Sequence, residues 1–203
     1  MAMENSSVEY ITTTLESQRN FFGSGTTLDI DFRKAMLNRL LEALQKWEKP
    51  LTEALWHDLH KSYEEAYMTE VSIVMGEIRH HLKHLSSWSA TKRYISPLKM
   101  FPSRSKVMSE PLGNALIIAP WNYPVQLLLN PLVGAISAGC TAVLKPSPYV
   151  PHVSKVIEQM VADTFTEDYV AVVQGNRDVN SALLEHRFDI IFFTGSPSLG
   201  RKV

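Results

Sequence analysis

Short apolar runs alternate with helical patterns throughout the second half of the chain. The runs cover residues 116–119, 141–144, 170–173 and 189–193, and polar residues, proline or glycine follow each of them. Continuous apolar runs of this length are typical of strands that are buried on both faces of a parallel sheet. Between the runs, apolar residues recur at helical spacing, so a helix should connect each strand to the next. This alternation predicts an α/β fold, a Rossmann-like, doubly wound parallel sheet.

The chain before residue 91 shows helical periodicity instead, so an N-terminal helical segment should precede the sheet. Helices are predicted over residues 6–22, 31–48, 50–60 and 62–90. Pro50 separates the second helix from the third, because proline inside a helix removes a hydrogen bond and clashes with the preceding turn. Ser62 and Glu65 form an S-x-x-E capping box, which favours the start of the fourth helix.

Residues 93–112 differ from both flanking parts. Their three prolines exclude a long helix. Polar residues with weak alternation at 103–109 predict an exposed antiparallel strand at a sheet edge. We therefore divide the chain into N-terminal helices that pack on the sheet domain (1–92), an extended strand segment (93–112) and an incomplete Rossmann-like domain (113–203).

Polar turns follow three of the predicted strands. Asn122 comes after the first strand, Lys145 after the second, and Gly195 and Ser196 after the fourth. Open α/β sheets bind ligands at the carboxyl ends of their strands. Each turn also has an ordinary structural explanation, since Asn122 could stabilise its own turn and Lys145 could be a surface lysine. The glycine turn, G-S-P-S-L-G, departs from G-x-G-x-x-G and could simply join a strand to a helix.

The composition is that of a soluble globular protein, with 45% apolar and 20% charged residues. The 20 basic and 21 acidic residues give a net charge of −1, which offers no electrostatic attraction for nucleic acid. No apolar run approaches the ~20 residues that span a bilayer, and residues 1–14 lack the pattern of a signal peptide. We therefore expect a cytoplasmic protein without a membrane segment.

The sequence gives only weak support for a reactive thiol or a metal site. Cys140 is the one cysteine, so no intrachain disulfide can form. It follows Gly139 at the start of a predicted strand, away from the strand carboxyl ends, and a reactive thiol needs an exposed, electropositive setting. His80 and His84 lie four residues apart without an H-E-x-x-H carboxylate or a nearby cysteine, so a solvated helix face is favoured and no metal site is predicted.

Three segments carry a family resemblance. They are P-W-N-Y-P at 120–124, V-L-K-P-S at 143–147, and F-T-G-S at 193–196 with Gly200. Their sequence and order resemble the aldehyde dehydrogenase superfamily, and the match covers essentially the whole chain. The N-terminal half is most similar to the class 3 branch, which acts on fatty and aromatic aldehydes. The resemblance is to the N-terminal portion only, because the family's catalytic cysteine and general-base glutamate lie beyond Val203.

The resemblance implies NAD(P)-dependent oxidation of an aldehyde to a carboxylic acid. By this resemblance, Asn122 is the catalytic residue of this chain, and its side-chain amide stabilises the oxyanion that forms when the cysteine attacks the aldehyde. Trp121 would lie beside it along the route to substrate or cofactor. Lys145 matches the family's lysine that contacts the adenosine ribose, and Ser147 completes that cofactor-binding motif.

The same resemblance assigns the second cofactor segment. Gly195, Ser196 and Gly200 would form the dinucleotide turn, with Ser196 able to hydrogen-bond the pyrophosphate. Pro148 stands where relatives commonly have a glutamate that binds the ribose hydroxyls. A glutamate would repel a 2′-phosphate and proline cannot, so the cofactor is expected to be either NAD or NADP.

The resemblance also implies partners. The full-length form would bind an aldehyde substrate and form a homodimer, with residues 93–112 contributing to a bridging sheet. This chain alone should be inactive, because the nucleophile and base are not in it. Two other functions remain open: part of an acyl-phosphate reductase of related architecture, or a non-catalytic interaction module that pairs with a partner chain.

Overall fold

A computed structural model describes residues 5–203, which form six β-strands and eight α-helices. The strands are β1 (Lys92–Tyr94), β2 (Ser105–Val107), β3 (Asn114–Ile118), β4 (Thr141–Lys145), β5 (Val170–Val172) and β6 (Ile190–Phe193). The helices are α1 (Val8–Gly23), α2 (Ile30–Leu59), α3 (Tyr63–Ala66), α4 (Ser72–Trp88), α5 (Gln126–Ala138), α6 (Pro151–Thr164), α7 (Arg177–Leu184) and α8 (Pro197–Gly200).

Four strands form one parallel sheet in the order β5-β4-β3-β6, which confirms the predicted α/β class and all four predicted strands. The chain moves outwards from β3 through β4 to β5, and then returns to place β6 on the opposite side of β3. The direction of winding therefore reverses between β3 and β6. Ligands of open α/β sheets bind at the carboxyl side of such a switch point.

Helices cover both faces of the sheet, as a doubly wound fold requires. Ala115 and Ile117 of β3 pack in the larger core with α5 and α6, behind which lie α2 and α4. Leu116 and Ile118 face the other way and pack in a smaller core with α1 and α7. Successive residues of a strand point to opposite faces, so an apolar run without alternation is what a sheet covered on both sides needs.

The predicted break at Pro50 is wrong, because α2 continues from Ile30 to Leu59 with Pro50 inside it. Leu44, Leu51 and Leu55 are fully buried on either side of the proline and form one continuous packing stripe. An internal proline costs a helix about 3 kcal/mol, whereas each fully buried leucine contributes roughly 1.5–3 kcal/mol. The packing of the stripe therefore outweighs the proline.

The helix predicted from Ser62 begins as expected but is not uniform. The Ser62 hydroxyl accepts a hydrogen bond from the Glu65 backbone N–H at 3.2 Å, as an N-cap does. After α3, the chain forms a wider π-helical turn over Tyr67–Val71 before α4 begins at Ser72. This turn contains Glu70, a buried carboxylate that contacts the start of α5.

The helices that follow the strands begin close to the strand ends. Helix α5 begins at Gln126, and the Leu127 N–H donates to the Tyr123 carbonyl at 2.9 Å. The Asn176 side chain caps α7, and α8 spans Pro197–Gly200, inside the glycine motif. Gly139 ends α5 in the left-handed conformation, with φ of 86°.

A separate antiparallel hairpin precedes the sheet. Strand β2 lies within the predicted exposed strand at 103–109, and its partner β1, which the sequence did not indicate, pairs Arg93 with Lys106. All residues of both strands are exposed. The hairpin and its connection expose large apolar side chains: Tyr94, Ile95, Leu98, Met100, Phe101 and Val107. Across residues 5–203, none of the helices combines the length and apolar character that crossing a membrane requires.

Candidate functional site

The strands β3, β4 and β6 end in register at the carboxyl end of the sheet. Ile118 at the end of β3 pairs with Lys145 of β4 on one side and with Phe193 of β6 on the other. The backbone pairing extends one residue further, since the Ala119 N–H donates to the Lys145 carbonyl at 3.2 Å and the Thr194 N–H to the Ile118 carbonyl at 3.1 Å. The turns that carry Asn122, Lys145, Ser147 and Ser196 therefore leave the sheet side by side.

Lys145 is buried, so its interpretation as a surface lysine is wrong. It is 1% exposed, and its Nζ donates to the carbonyls of Pro146 at 2.9 Å and Gly175 at 2.7 Å. An ammonium has three N–H donors, and these two carbonyls take two of them. Burial lowers the pKa of Lys145 from 10.5 to about 8, because the charged form loses solvation. Two backbone carbonyls thus hold the Lys145 ammonium group at the carboxyl end of β4.

Ser147 fixes the turn that follows Lys145. Its carbonyl accepts a hydrogen bond from the Ser154 hydroxyl at 2.9 Å, and its own hydroxyl accepts one from the Tyr149 N–H at 3.4 Å. Pro148 lies between these contacts and is partly exposed. The serine therefore shapes the loop at the end of β4, and its hydroxyl proton can still be donated to a ligand.

The glycine motif after β6 is exposed along its length. The Ser196 hydroxyl accepts from the Leu199 N–H at 3.4 Å and caps α8. A Cβ on Gly195 would lie 2.4 Å from the Phe193 ring, whereas one on Gly200 would make ordinary contacts at 3.6 Å. An alanine in place of Gly195 would therefore require the Phe193 ring to move. Residues 194–203 include Arg201 and Lys202 but no aspartate or glutamate. Exposed backbone and nearby cations fit an anionic ligand.

Carboxylates fill the N-termini of the two helices that follow β3 and β4. Glu70 Oε2 accepts hydrogen bonds from the Val125 N–H at 2.8 Å and the Gln126 N–H at 3.3 Å at the start of α5. Asp58 Oδ2 accepts from the Val153 N–H at 2.9 Å at the start of α6. A helix N-terminus attracts anions, and here protein carboxylates already occupy both positions. Of the three turns at this end of the sheet, the turn after β6 is therefore the one that has no carboxylate from residues 5–203 at the following helix.

A buried ion pair lies behind the Asn122 turn. Lys61 Nζ is 2.6 Å from Glu70 Oε1 and donates to the Asn122 carbonyl at 2.9 Å. It also lies 4.0 Å from the centre of the Tyr123 ring, within the range of a cation–π contact. Asn122 itself is exposed, so its side-chain amide can meet a ligand.

Sequence reasoning missed Lys61, Glu70 and Asp58. One signal was present for Glu70, which shares a helical stripe with the fully buried residues Ala66 and Val74. A charged residue on an apolar stripe is seldom fully buried unless it is paired, so the pattern called for a partner. Nothing in the sequence identified that partner, because Lys61 and the start of α5 are brought to it only by the fold.

A surface recess of about 310 Å³ lies beside the Asn122 turn, between α5 and β6. It is lined by Gln126, Leu127, Asn130, Pro131 and Phe192. Asn130 Oδ1 is buried there and accepts no hydrogen bond from the described residues. Apolar walls with a few amide groups are typical of small-molecule pockets.

The remaining candidate residues lie elsewhere. Cys140 is 3% exposed and precedes β4, at the opposite end of that strand from Lys145. His80 and His84 face each other on α4, with ring centres 4.7 Å apart, next to Trp88. Within residues 5–203, His, Cys, Asp and Glu side chains form no group of three or more that could hold a metal ion.

A parallel sheet with polar turns at its switch point defines an α/β protein of Rossmann-like architecture. The chain matches the aldehyde dehydrogenase family over residues 2–203, and it belongs to that family. It is 43% identical over 183 residues to 4,4'-diaponeurosporen-aldehyde dehydrogenase from Staphylococcus aureus, covering 90% of this chain and 40% of the relative. It is 42% identical over 190 residues to human aldehyde dehydrogenase family 3 member B1, covering 94% of this chain and 41% of the relative.

Solved structures agree with this assignment. Staphylococcus aureus AldH in a substrate-bound state superposes with a TM-score of 0.92 and 41% identity, over 95% of this chain and 42% of that one. Betaine aldehyde dehydrogenase from the same species, solved with NAD+, shares the fold with a TM-score of 0.84 at 22% identity, over 98% and 41% of the two chains. The predicted family and class 3 branch are confirmed. The chain spans about 40% of the length of these curated relatives and corresponds to their N-terminal portion.

Proposed function

We propose that this chain is the cofactor-binding N-terminal part of an NAD(P)-dependent aldehyde dehydrogenase that oxidises aldehydes to carboxylic acids. The observation that carries the proposal is the register of Ile118 with Lys145 and Phe193. This register brings the turns after β3, β4 and β6 together at the carboxyl end of the sheet. The carboxyl ends of these strands lie at the switch point, where sheets of this class bind dinucleotides. Class 3 aldehyde dehydrogenases among the relatives support the reaction class.

The residues at the carboxyl end of the sheet fit a ribose and the pyrophosphate of a dinucleotide. Lys145 would donate its third N–H to a ribose hydroxyl, and Ser147 would hold that loop in place. The pyrophosphate would lie on the exposed Gly195–Gly200 turn, with Ser196 as a hydroxyl donor, since carboxylates block the N-termini of α5 and α6. When bound there, the nicotinamide cofactor accepts the hydride that the substrate loses.

Asn122 would act on the substrate oxygen. Its side-chain amide would donate to the oxygen that becomes negatively charged as a nucleophile attacks the aldehyde carbonyl. Trp121 is exposed next to it and would shield the route to this position. The recess lined by Leu127, Pro131 and Phe192 suits the apolar part of an aldehyde.

The nucleophile and base would come from outside residues 1–203. Cys140, the one cysteine of this chain, is buried at the other end of β4 from the site. This chain alone would therefore bind cofactor without turning over an aldehyde. In the full-length form, the exposed hairpin of β1 and β2 would pair with a second copy in a cytoplasmic homodimer.

Both NAD and NADP should bind. Pro148 follows the Lys145 loop where a glutamate would otherwise repel a 2′-phosphate, and proline carries no charge. The partly exposed position of Pro148 leaves space for ribose substituents. The two cofactors would therefore differ little in affinity.

Calorimetric titration of NAD and NADP into this chain tests the proposal. We expect saturable binding that weakens about tenfold in Ser196→Ala and in Lys145→Met, since each removes one hydrogen bond to the ligand. Lys155→Met, at an exposed position of α6, is the matched control and should bind as the wild type does. A folded chain whose affinity is the same in all three variants would refute the assignment of these residues.

A non-catalytic interaction module is the second candidate function. It is favoured by the hairpin, where Ile95 is fully exposed and Phe101 is 81% exposed. Apolar surface of this kind marks an interaction site. A folded chain that binds neither cofactor but forms a stable complex through the hairpin would support the module instead.

A further inference from the structure

The Lys61–Glu70 ion pair is buried, and both side chains make further hydrogen bonds to the backbone. Lys61 is 8% exposed and Glu70 is not exposed at all. One carboxylate oxygen of Glu70 accepts from Lys61, and the other accepts from the backbone N–H groups of Val125 and Gln126. Lys61 donates in turn to the Asn122 carbonyl. The pair therefore connects the helical segment to both ends of the turn between β3 and α5.

A buried ion pair of this kind need not add to the stability of the fold. Removing two charges from water costs several kcal/mol per ion, and apolar replacements of buried pairs are often neutral or stabilising. Burial raises the pKa of Glu70, although Lys61 and the two backbone N–H groups act in the opposite direction. A π-helical turn also lies at Glu70, and such turns are frequent at functional sites.

The geometry shows what the pair constrains. Lys61 holds the Asn122 peptide by its carbonyl and contacts the face of Tyr123, while Glu70 holds the first amides of α5. The turn is thus fixed from its protein side, and the exposed Asn122 side chain lies on the other side. A catalytic donor must be held closely, because a misplacement of about 1 Å can cost on the order of 100-fold in rate.

We propose that Lys61 and Glu70 are positioning residues for Asn122, holding its peptide so that its side-chain amide stays directed at the substrate oxygen. This inference rests on the proposed role of Asn122 as oxyanion donor. Neither residue touches the substrate. The buried pair acts through the Asn122 carbonyl and the N-terminus of α5.

Nuclear magnetic resonance of this chain tests the geometric part. In Lys61→Met/Glu70→Gln, the glutamine oxygen still caps α5, so the fold should persist with a melting temperature within a few degrees of the wild type. The Tyr123 amide, whose nitrogen is bonded to the Asn122 carbonyl carbon, and the Asn122 side-chain amide should both shift. Lys49→Met removes an exposed pair with Glu53 and should leave both resonances unchanged. Unchanged Asn122 and Tyr123 resonances in the folded double variant would overturn the proposal.

Steady-state kinetics of the full-length enzyme test the functional part. Lys61→Met should lower kcat at least tenfold with KM within about twofold, since it removes an interaction that matters in the transition state. Lys61→Arg, which keeps a donor and the charge, should restore part of that loss. A kcat of Lys61→Met equal to that of Lys49→Met would show that the pair does not position the site.

Asn122→Ala separates this inference from the proposed function on which it rests. If Asn122→Ala leaves kcat unchanged, the role of Asn122 as oxyanion donor is wrong and the positioning role fails with it. If Asn122→Ala lowers kcat about 100-fold or more while Lys61→Met does not, Asn122 keeps its role and only the positioning inference is wrong. Parallel losses in both variants support the two together.

Discussion

The carboxylate of Glu70 accepts a hydrogen bond from the backbone N–H of Val125 at 2.8 Å and so occupies the N-terminus of α5. In many α/β proteins, the helix after the central strand binds the phosphates of a nucleotide at this position. Asp58 occupies the equivalent position of α6. Carboxylates from the N-terminal helical segment therefore occupy the N-termini of α5 and α6, while no such carboxylate of the described residues occupies the turn after β6.

Replacing Glu70 by alanine should destabilise the chain severely. The change leaves Lys61 as an unpaired buried charge and removes the acceptor of the Val125 N–H, which together should cost about 3–5 kcal/mol of unfolding free energy. Urea denaturation measures the loss. Glu53→Ala removes the carboxylate of an exposed ion pair and should change stability by less than about 0.5 kcal/mol. Equal effects of the two substitutions would contradict the structural role of Glu70.

Two glycines, one inside α5 and one at its C-terminal end, should respond oppositely to replacement by alanine. Gly139 has φ of 86°, and a Cβ there would lie 2.7 Å from the Arg33 guanidinium carbon and from the Thr27 carbonyl oxygen. Gly139→Ala should therefore cost about 2 kcal/mol or more. Gly134 lies inside the helix with nothing within 4 Å, so Gly134→Ala should stabilise the chain by up to about 1 kcal/mol. Thermal unfolding of both variants checks the contrast, which a loss of stability in Gly134→Ala would refute.

Lys145 should make stability depend on pH in the alkaline range. Its folded-state pKa is about 8, below its ordinary value of 10.5, so between these values the unfolded chain binds a proton that the folded chain does not. Stability therefore rises with pH from about 8 to 10.5, by an amount on the order of 3 kcal/mol from this group. Below pH 8 both states are protonated and the contribution is constant.

Lys145→Met isolates this effect. Urea unfolding of the wild type and the variant at pH 7.5, 8.5 and 9.5 gives the difference in stability, from which other titrating groups cancel. The difference should shift in favour of the wild type as pH rises. Parallel curves for the two proteins would mean that the buried ammonium has an ordinary pKa.

Pro148 should set the tolerance for NADP. Pro148→Glu places a carboxylate beside the Lys145 loop, and repulsion of the 2′-phosphate should weaken NADP binding at least about tenfold while NAD changes by less than about threefold. Pro148→Gln, of similar size without the charge, is the control and should bind both cofactors as the wild type does. Competition binding measures the ratio, and equal losses for both cofactors in Pro148→Glu would contradict the prediction.

The four strands of the parallel sheet could be predicted because each is an apolar run that is visible in the local sequence. The run at residues 116–119 is apolar on both faces, and the strand appears within two residues of it, at Asn114–Ile118. Helix α2 could not be placed from propensity, because the burial of Leu51 and Leu55 against distant helices outweighs the effect of Pro50. Tertiary packing is therefore the reason why the predicted break of α2 at Pro50 is wrong.

The motif turns of the candidate site were visible in the sequence, but their support was not. Lys145 follows a strand in a way that suits a surface residue, and its burial depends on the Gly175 carbonyl 30 residues later. Glu70 meets α5 across 55 residues of sequence. Such contacts join segments that only the fold brings together, so no local pattern could identify the partners.

Chemical-shift mapping of NAD binding by ¹H–¹⁵N spectroscopy tests most directly whether the cofactor lies at the switch point. Addition of NAD to this chain should shift the backbone amides of Gly195, Ser196 and Gly200 and the residues around Lys145, with little change at the Val125 and Val153 amides that carboxylates already cap. Shifts confined to the N-termini of α5 and α6, or to the β1–β2 hairpin, would contradict the proposed cofactor site.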